Sequence, residues 1–422
     1  MPWHRLLLLL FLGALPFSVC AAEPLSLEAA VERALDIAPQ VNSRTANFEA
    51  MQALAVSAGR LPDPELVIGV DNLPVDGPDA YSTTRDFMTM RKVGVMQEFP
   101  AAAKRKLERQ LAGAEVGVAE AELLESRLAV AREAARAWIK RATAESSLND
   151  LRTLQPELEL QAVAARAAVS AGRSSTAEAL AAEAAVAQLH ARLLRMQSAA
   201  TQASFELARW IDTDAARPLG PMPSLDELPT PPAALLASVH EHGSLLTYQS
   251  QIEAARLDVD LARAQRRPDW STELSFAKRG PDFSDMVSLE FRIGLPLFTK
   301  SRQDPRISAK HAQLRRIESE REAELRMHTA EIQQMLTEWQ QLGEQVGQYE
   351  RELLPLSRER SRAALASYRA GRGELRPALD AHQQEIEFVI EHAQLVNERG
   401  RAWAFLRYLD REHLHGQSGV SP

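Results

Sequence analysis

The sequence repeats itself, and the repetition limits the possible folds more than any single motif does. "LPDPELVIGV" from Leu61 returns as "RPDWSTELSF" from Arg267, and "VMQEFPAAAKR" from Val95 returns as "IGLPLFTKSR" from Ile293. "SAGRSSTAEAL" from Ser170 returns as "RAGRGELRPAL" from Arg369, and "LARWID" from Leu207 as "FLRYLD" from Phe405. Spacing is kept as well: Phe99 to Gly172 is 73 positions and Leu297 to Gly371 is 74. Two halves on one plan are therefore expected. The first repeat covers residues 23–216 and the second 233–411, joined by a proline-rich linker over 217–232 and followed by a tail over 412–422.

Each half reads as helix, strand, strand, very long helix, tight turn, helix. A first helix is predicted over 26–59, interrupted at Pro39, with its counterpart over 233–266 and Gly243-Ser244 near the matching place. The long helix is predicted over 102–169, with no proline before Pro156, and its partner over 308–368, with Pro355 as a late kink. Nearly seventy helical residues, at about 1.5 Å each, span roughly 100 Å, which no compact globule needs. Gly172 and Gly371 then reverse the chain, because glycine enters left-handed conformations freely. Each long helix must pack against the one that returns, as an antiparallel coiled-coil hairpin. The composition suits this, with 45% hydrophobic but only 5% aromatic residues and much Ala, Leu, Glu and Arg.

The strands are predicted over 65–72, 87–97, 269–278 and 286–295. In the last, Val287, Leu289, Phe291, Ile293 and Leu295 point one way, while Ser288, Glu290, Arg292 and Gly294 point the other. The third alternates likewise, with Trp270, Thr272, Leu274 and Phe276 opposite Ser271, Glu273 and Ser275. Each strand is close to the ten or so residues that cross an outer membrane. Four strands cannot close a barrel, which takes about eight, and an open sheet in lipid leaves its edge groups unpaired. Strands placed in a membrane therefore imply an obligate oligomer.

The net charge of −8 argues against nucleic acid, which requires a basic face. Residues 1–22 read as an export signal: Arg5, an apolar run over 6–15, Pro16, then the small residues Ala21-Ala22. Cys20, the only cysteine, is either cut away with this signal or is a lipid-bearing first residue. No phosphate-cradling glycine loop, GxSxG elbow, HExxH pair or cysteine nucleophile is present, so no enzymatic activity and no cofactor are expected.

The two-fold plan, the paired hairpins and the glycine turns resemble the TolC family of outer-membrane efflux channels. "RLPDPELVIGVDNLP" from Arg60 and "VGVMQEFPAAAKRK" from Val93 resemble its heavy-metal branch, the CzcC-like and CusC-like channels of tripartite resistance-nodulation-division (RND) pumps. The resemblance implies a fold that is mainly α with membrane β, assembled as a homotrimer. Its twelve strands would form one barrel in outer-membrane lipid and its helices a periplasmic tunnel. The row from Val287 to Leu295 would then face lipid, and Glu273, Glu290 and Arg292 the barrel lumen. The turns "VSAGRSS" from Val169 and "YRAGRGE" from Tyr368 match the periplasmic tip, so Gly172, Arg173, Gly371 and Arg372 are implied to meet a periplasmic adaptor. Asp380 matches an acidic gate position and Tyr368 is kept, while Gly373 and Pro377 depart from the family's pattern. Energy would come from a proton-driven inner-membrane RND pump.

The remaining conspicuous residues read as structural. His240-Glu241-His242 and His413-Leu414-His415 look like surface histidines, since residues two apart do not share a helix face. Met88, Met90 and Met96 read as lipid-facing or packing side chains, and Trp138, Trp210, Trp339 and Trp403 as helix packing. Trp270 opens a strand, where an interfacial ring is favoured. The competing reading from another class is a soluble periplasmic coiled-coil protein, for which four matched strands have no use.

Overall fold

The computed structural model describes residues 23–414; the expected export signal with Cys20, and His415, lie outside them. The helices are α1 (Leu27–Ile37), α2 (Pro39–Ser57), α3 (Ala102–Ser170), α4 (Thr176–Ile211), α5 (Pro232–Ala237), α6 (Gly243–Ala264), α7 (Thr299–Gln348), α8 (Leu354–Arg369) and α9 (Leu375–Arg407). The strands are β1 (Glu65–Asp71), β2 (Met90–Phe99), β3 (Trp270–Lys278) and β4 (Met286–Ile293). The element order of the first half recurs in the second.

α3 contains 69 residues and runs unbroken through Pro156. It forms an antiparallel hairpin with α4 and packs on α2, α6 and α9 as well. In the second half the long rod begins nine residues earlier than the sequence suggests, at Thr299 rather than 308, and carries Pro305 inside α7. A single π-helical turn, Tyr349–Leu353, joins α7 to α8 directly before Pro355. That proline lacks an N–H and crowds the carbonyl four residues back, and the wider turn relieves the conflict without ending the rod.

All four strands form one antiparallel sheet in the order β1-β2-β3-β4. The β2–β3 ladder joins the two halves, with Gly94 opposite Ser275 and Phe99 opposite Trp270. β2 starts at Met90 rather than 87 because the Asp86 carboxylate accepts from the backbone N–H groups of Met88 (2.7 Å) and Thr89 (3.2 Å), fixing a turn where extension was expected.

The largest core lies at mid-height of the rods, around Trp138, Ile139, Leu207, Ile211 and Trp403. Its tryptophans clip the flanking segments to the helices. Trp138 Nε1 donates to the Leu25 carbonyl at 3.0 Å, Trp339 to Leu225 at 2.8 Å and Trp403 to Glu227 at 2.9 Å. A second core, around Leu158, Ala182, Leu189, Leu375 and Ile386, binds the two hairpins together toward their turns.

Candidate functional site

Two regions have the geometry of function: the sheet at one end of the molecule and the hairpin turns at the other. In the sheet, period-2 alternation and antiparallel register align apolar residues across all four strands. Leu66, Val95, Leu274 and Leu289 form one row; Ile68, Val93, Phe276 and Val287 form the next. Every one of these eight side chains is open, from 44% exposed at Phe276 to 74% at Ile68. A continuous bare apolar face of this kind marks contact with a partner or with lipid. At its helix-proximal end Phe99 and Trp270 stack with centroids 4.1 Å apart.

The opposite face is polar and knit together. Glu273 and Glu290 stand directly across from each other on β3 and β4, a like-charge pair that isolated strands would resist. Arg292 resolves the conflict by reaching Glu273 at 3.1 Å and Glu290 at 2.7 Å, and Lys92 on β2 meets Glu273 at 3.3 Å and Asp71 at 3.6 Å. The structure thus brings Glu273, Glu290 and Arg292 together. Lys92 is a member that sequence reading missed, although its alternation with Met90 and Gly94 along β2 signals the same face. Met90 and Met96 lie on this polar side too, with Met96 opposite Glu273 and its sulfur 3.6 Å from Arg292 Nη1. Of the two readings of these methionines, Met90 and Met96 follow packing on the polar face rather than the apolar rows, and Met88 precedes the strand.

At the far end, the two turns are built alike. Gly172 and Gly371 have φ of 70° and 69°. Arg173 N–H donates to the Ala168 carbonyl (2.8 Å) and Gly172 N–H to Val169 (2.9 Å), while Arg372 N–H donates to Ser367 (3.1 Å) and Gly371 N–H to Tyr368 (2.9 Å). This six-to-one and five-to-two pattern satisfies the last carbonyls of α3 and α8 and needs a left-handed residue at the glycine. Ser175 and Glu178 then start α4 with a reciprocal capping box. Gly172, Arg173, Gly371 and Arg372 are all exposed. Tyr368 packs partly against the shared hairpin core. Asp380 lies exposed on α9 in a groove with Glu178, Arg192, Arg376 and Gln383.

The histidines differ from expectation. His240 is exposed, but His242 is 1% exposed and faces His328 of α7. Burial, with His328 adding to it, pushes the His242 pKa down to about 4. Sequence spacing gave no hint of this pair, because its partners are 86 positions apart.

The fold is that of outer-membrane efflux channels. Residues 239–409 match the family model described as outer membrane efflux protein. The chain is similar to a solved membrane protein from Pseudomonas aeruginosa, with TM-score 0.78 and 20% identity over 93% of this chain and 92% of that one. It is also similar to the outer membrane protein VceC from Vibrio cholerae, at TM-score 0.74 and 20% identity over 92% and 95% of the two chains. CusC, described by its transmembrane channel formation, gives TM-score 0.77 at 15% identity over 91% and 92%. No curated protein matches significantly.

Proposed function

We propose that this chain is the outer-membrane channel of a tripartite efflux pump and that its cargo is heavy-metal cations. The observation that carries the channel reading is the bare apolar face spread over four strands, backed by a charged face and mounted on helical rods. β2 and β3, with 10 and 9 residues, match the ~9–11 of a membrane-crossing strand. β1 and β4 leave open edges, and edges in lipid must be paired. Three copies supply twelve strands, enough to close a barrel that places the apolar rows in lipid and the Glu273 network in the lumen. No described helix is long and apolar enough to cross a membrane.

In this reading the turns at Gly172–Arg173 and Gly371–Arg372 meet the periplasmic adaptor, and an inner-membrane RND pump supplies the energy. Asp380 and Tyr368 line the closing end of the tunnel, where an acidic ring favours cations. The cargo class rests on the resemblance of the stretches from Arg60 and Val93 to the heavy-metal branch, together with exposed Asp380. Deleting the chain and measuring survival and cell content of copper, silver, zinc, cobalt and cadmium beside an organic drug panel tests it. Retention of one metal with selective sensitivity supports the cargo; sensitivity to drugs alone removes the metal and keeps the channel.

A further inference from the structure

The sheet keeps the internal repeat more strictly than the sequence does. Moving β1 forward by 206 positions and β2 by 196 turns every β1–β2 pair into a β3–β4 pair: Glu65 opposite Met96 becomes Ser271 opposite Arg292, and Asp71 opposite Met90 becomes Ala277 opposite Met286. The same steps set Pro62 on Pro268 and Pro100 on Pro296, two positions away from the alignment that the sequence echo at Val95 suggests. The contact between halves, β2 with β3, has no second occurrence within one copy, because β1 and β4 are the open edges of the sheet. That contact has a tight spot. Gly94 faces Ser275, and a Cβ at Gly94 would lie 2.6 Å from the Ser275 Cβ, so the pair admits one side chain and not two.

We propose that β4 pairs with β1 of a second copy in the register that β2 keeps with β3, carried over by the same steps. Glu290 then faces Gly69 of the partner subunit, Phe291 faces the partner's Ile68, and Ile293 faces the partner's Leu66. This pairing rests on the channel reading and adds which residues meet. The tight spot recurs with a glycine on one side, and nothing lies within 4 Å of a Cβ at Gly69 in a single copy. The stagger fits as well. Leu66 is level with Val95, Leu274 and Leu289, and Leu289 becomes level with the partner's Val70, four positions further on. Four residues of about 3.3 Å over four strands about 4.8 Å apart give a tilt of about 35°, as barrels require. Slipping by two positions one way flattens the tilt to about 20°; slipping the other way sets Glu290 against the partner's Asp71, like charge on like. The register also extends the charged face. Arg292 stands opposite the partner's Val67, with the partner's Glu65 two positions along. Lys92 already reaches Glu273 at 3.3 Å, four positions along in the same sense from the Ala277 that it faces. Arg292 therefore spans to Glu65 of the partner subunit, which joins Glu273 and Glu290 around the guanidinium.

Paired cysteines, in protein with Cys20 replaced, test the register in outer-membrane vesicles oxidised with copper phenanthroline. Val95→Cys with Leu274→Cys, opposite each other inside one copy, calibrates the reaction. Phe291→Cys with Ile68→Cys occupies the equivalent places across the boundary and should give a covalent ladder ending at the trimer on denaturing gels. Phe291→Cys with Val70→Cys or with Leu66→Cys should lose that ladder, since such diagonal pairs stand about 7–8 Å apart, beyond the reach of a disulfide. A stronger ladder from either diagonal pair overturns the register and leaves the channel reading intact. No ladder from any of the three, while the calibrating pair closes, overturns both. Ile293→Cys with Leu66→Cys, set against Ile293→Cys with Ile68→Cys, reads the same register should the first pair not assemble. Glu65→Gln and Arg292→Gln should each lower the temperature at which the trimer dissociates, and together by less than the two losses added; additive losses overturn the Glu65 contact.

Discussion

Glu273 of β3 and Arg292 of β4 stand 3.1 Å apart on the polar face of the sheet, and Lys92 of β2 holds the same carboxylate from the other side at 3.3 Å. Removing that carboxylate takes away the anion between two cations on either side of β3, leaving Lys92 with Asp71 and Arg292 with Glu290. Glu273→Gln is expected to lower stability by up to about 3 kcal/mol, the lower end for breaking a buried pair because Arg292 is half-exposed. It should also shift the reversal potential of the reconstituted channel toward anions. Heat denaturation of the oligomer on gels and planar-bilayer recording check the two effects.

Gly172 and Gly371 differ from Gly59 in what a methyl group would meet. At both tips φ is left-handed and nothing lies within 4 Å of an added Cβ, whereas at Gly59 that atom would sit 2.0 Å from the Arg105 carbonyl oxygen. Gly172→Ala and Gly371→Ala should each cost about 1–2 kcal/mol, the conformational term alone. Gly59→Ala should cost clearly more, since α2 must move off α3. Thermal unfolding of the three variants gives the order.

Trp138→Phe keeps an aromatic ring, though a smaller one, in the mid-height core and removes the 3.0 Å bond to the Leu25 carbonyl. The Leu25 carbonyl keeps the Gly220 N–H at 2.9 Å, so the hydrogen bond itself accounts for a loss of about 0.5–1.5 kcal/mol, to which the smaller ring adds. Because Leu25 also bridges to the linker at Leu219, limited proteolysis should release the N-terminal segment earlier than in the unmodified protein.

The repeat, the rods and the alternation of β3 and β4 were all legible in the sequence, since each rests on local periodicity. The pairing of β2 with β3 was not, because it is a contact between halves that no spacing encodes. The start of β2 was misplaced because Asp86 competes for the backbone with a side-chain turn. His242 and Lys92 were missed for a shared reason: their partners, His328 and Glu273, come from distant elements. The tip residues were legible only through resemblance; Gly172 and Gly371 alone carry a physical signal, the left-handed turn.

His242 should make stability pH-dependent. Burial lowers its pKa from 6.5 to about 4, so between these values the unfolded chain binds more protons than the folded one. Stability then rises with pH through this window and is lost as pH falls from 6.5 toward 4, by up to about 3 kcal/mol. His242→Gln should flatten that part of the profile in denaturant titrations at stepped pH.

The central claim is that one face of the sheet meets lipid and the other water. With Cys20 replaced, Leu289→Cys and Glu290→Cys place single thiols on adjacent residues of β4 that point to opposite faces. In outer-membrane vesicles, a membrane-impermeant maleimide should label Glu290→Cys. Leu289→Cys should resist it, and a fluorophore placed there should be quenched by brominated lipid. Equal labelling of both positions, or labelling of Leu289→Cys alone, would contradict the account.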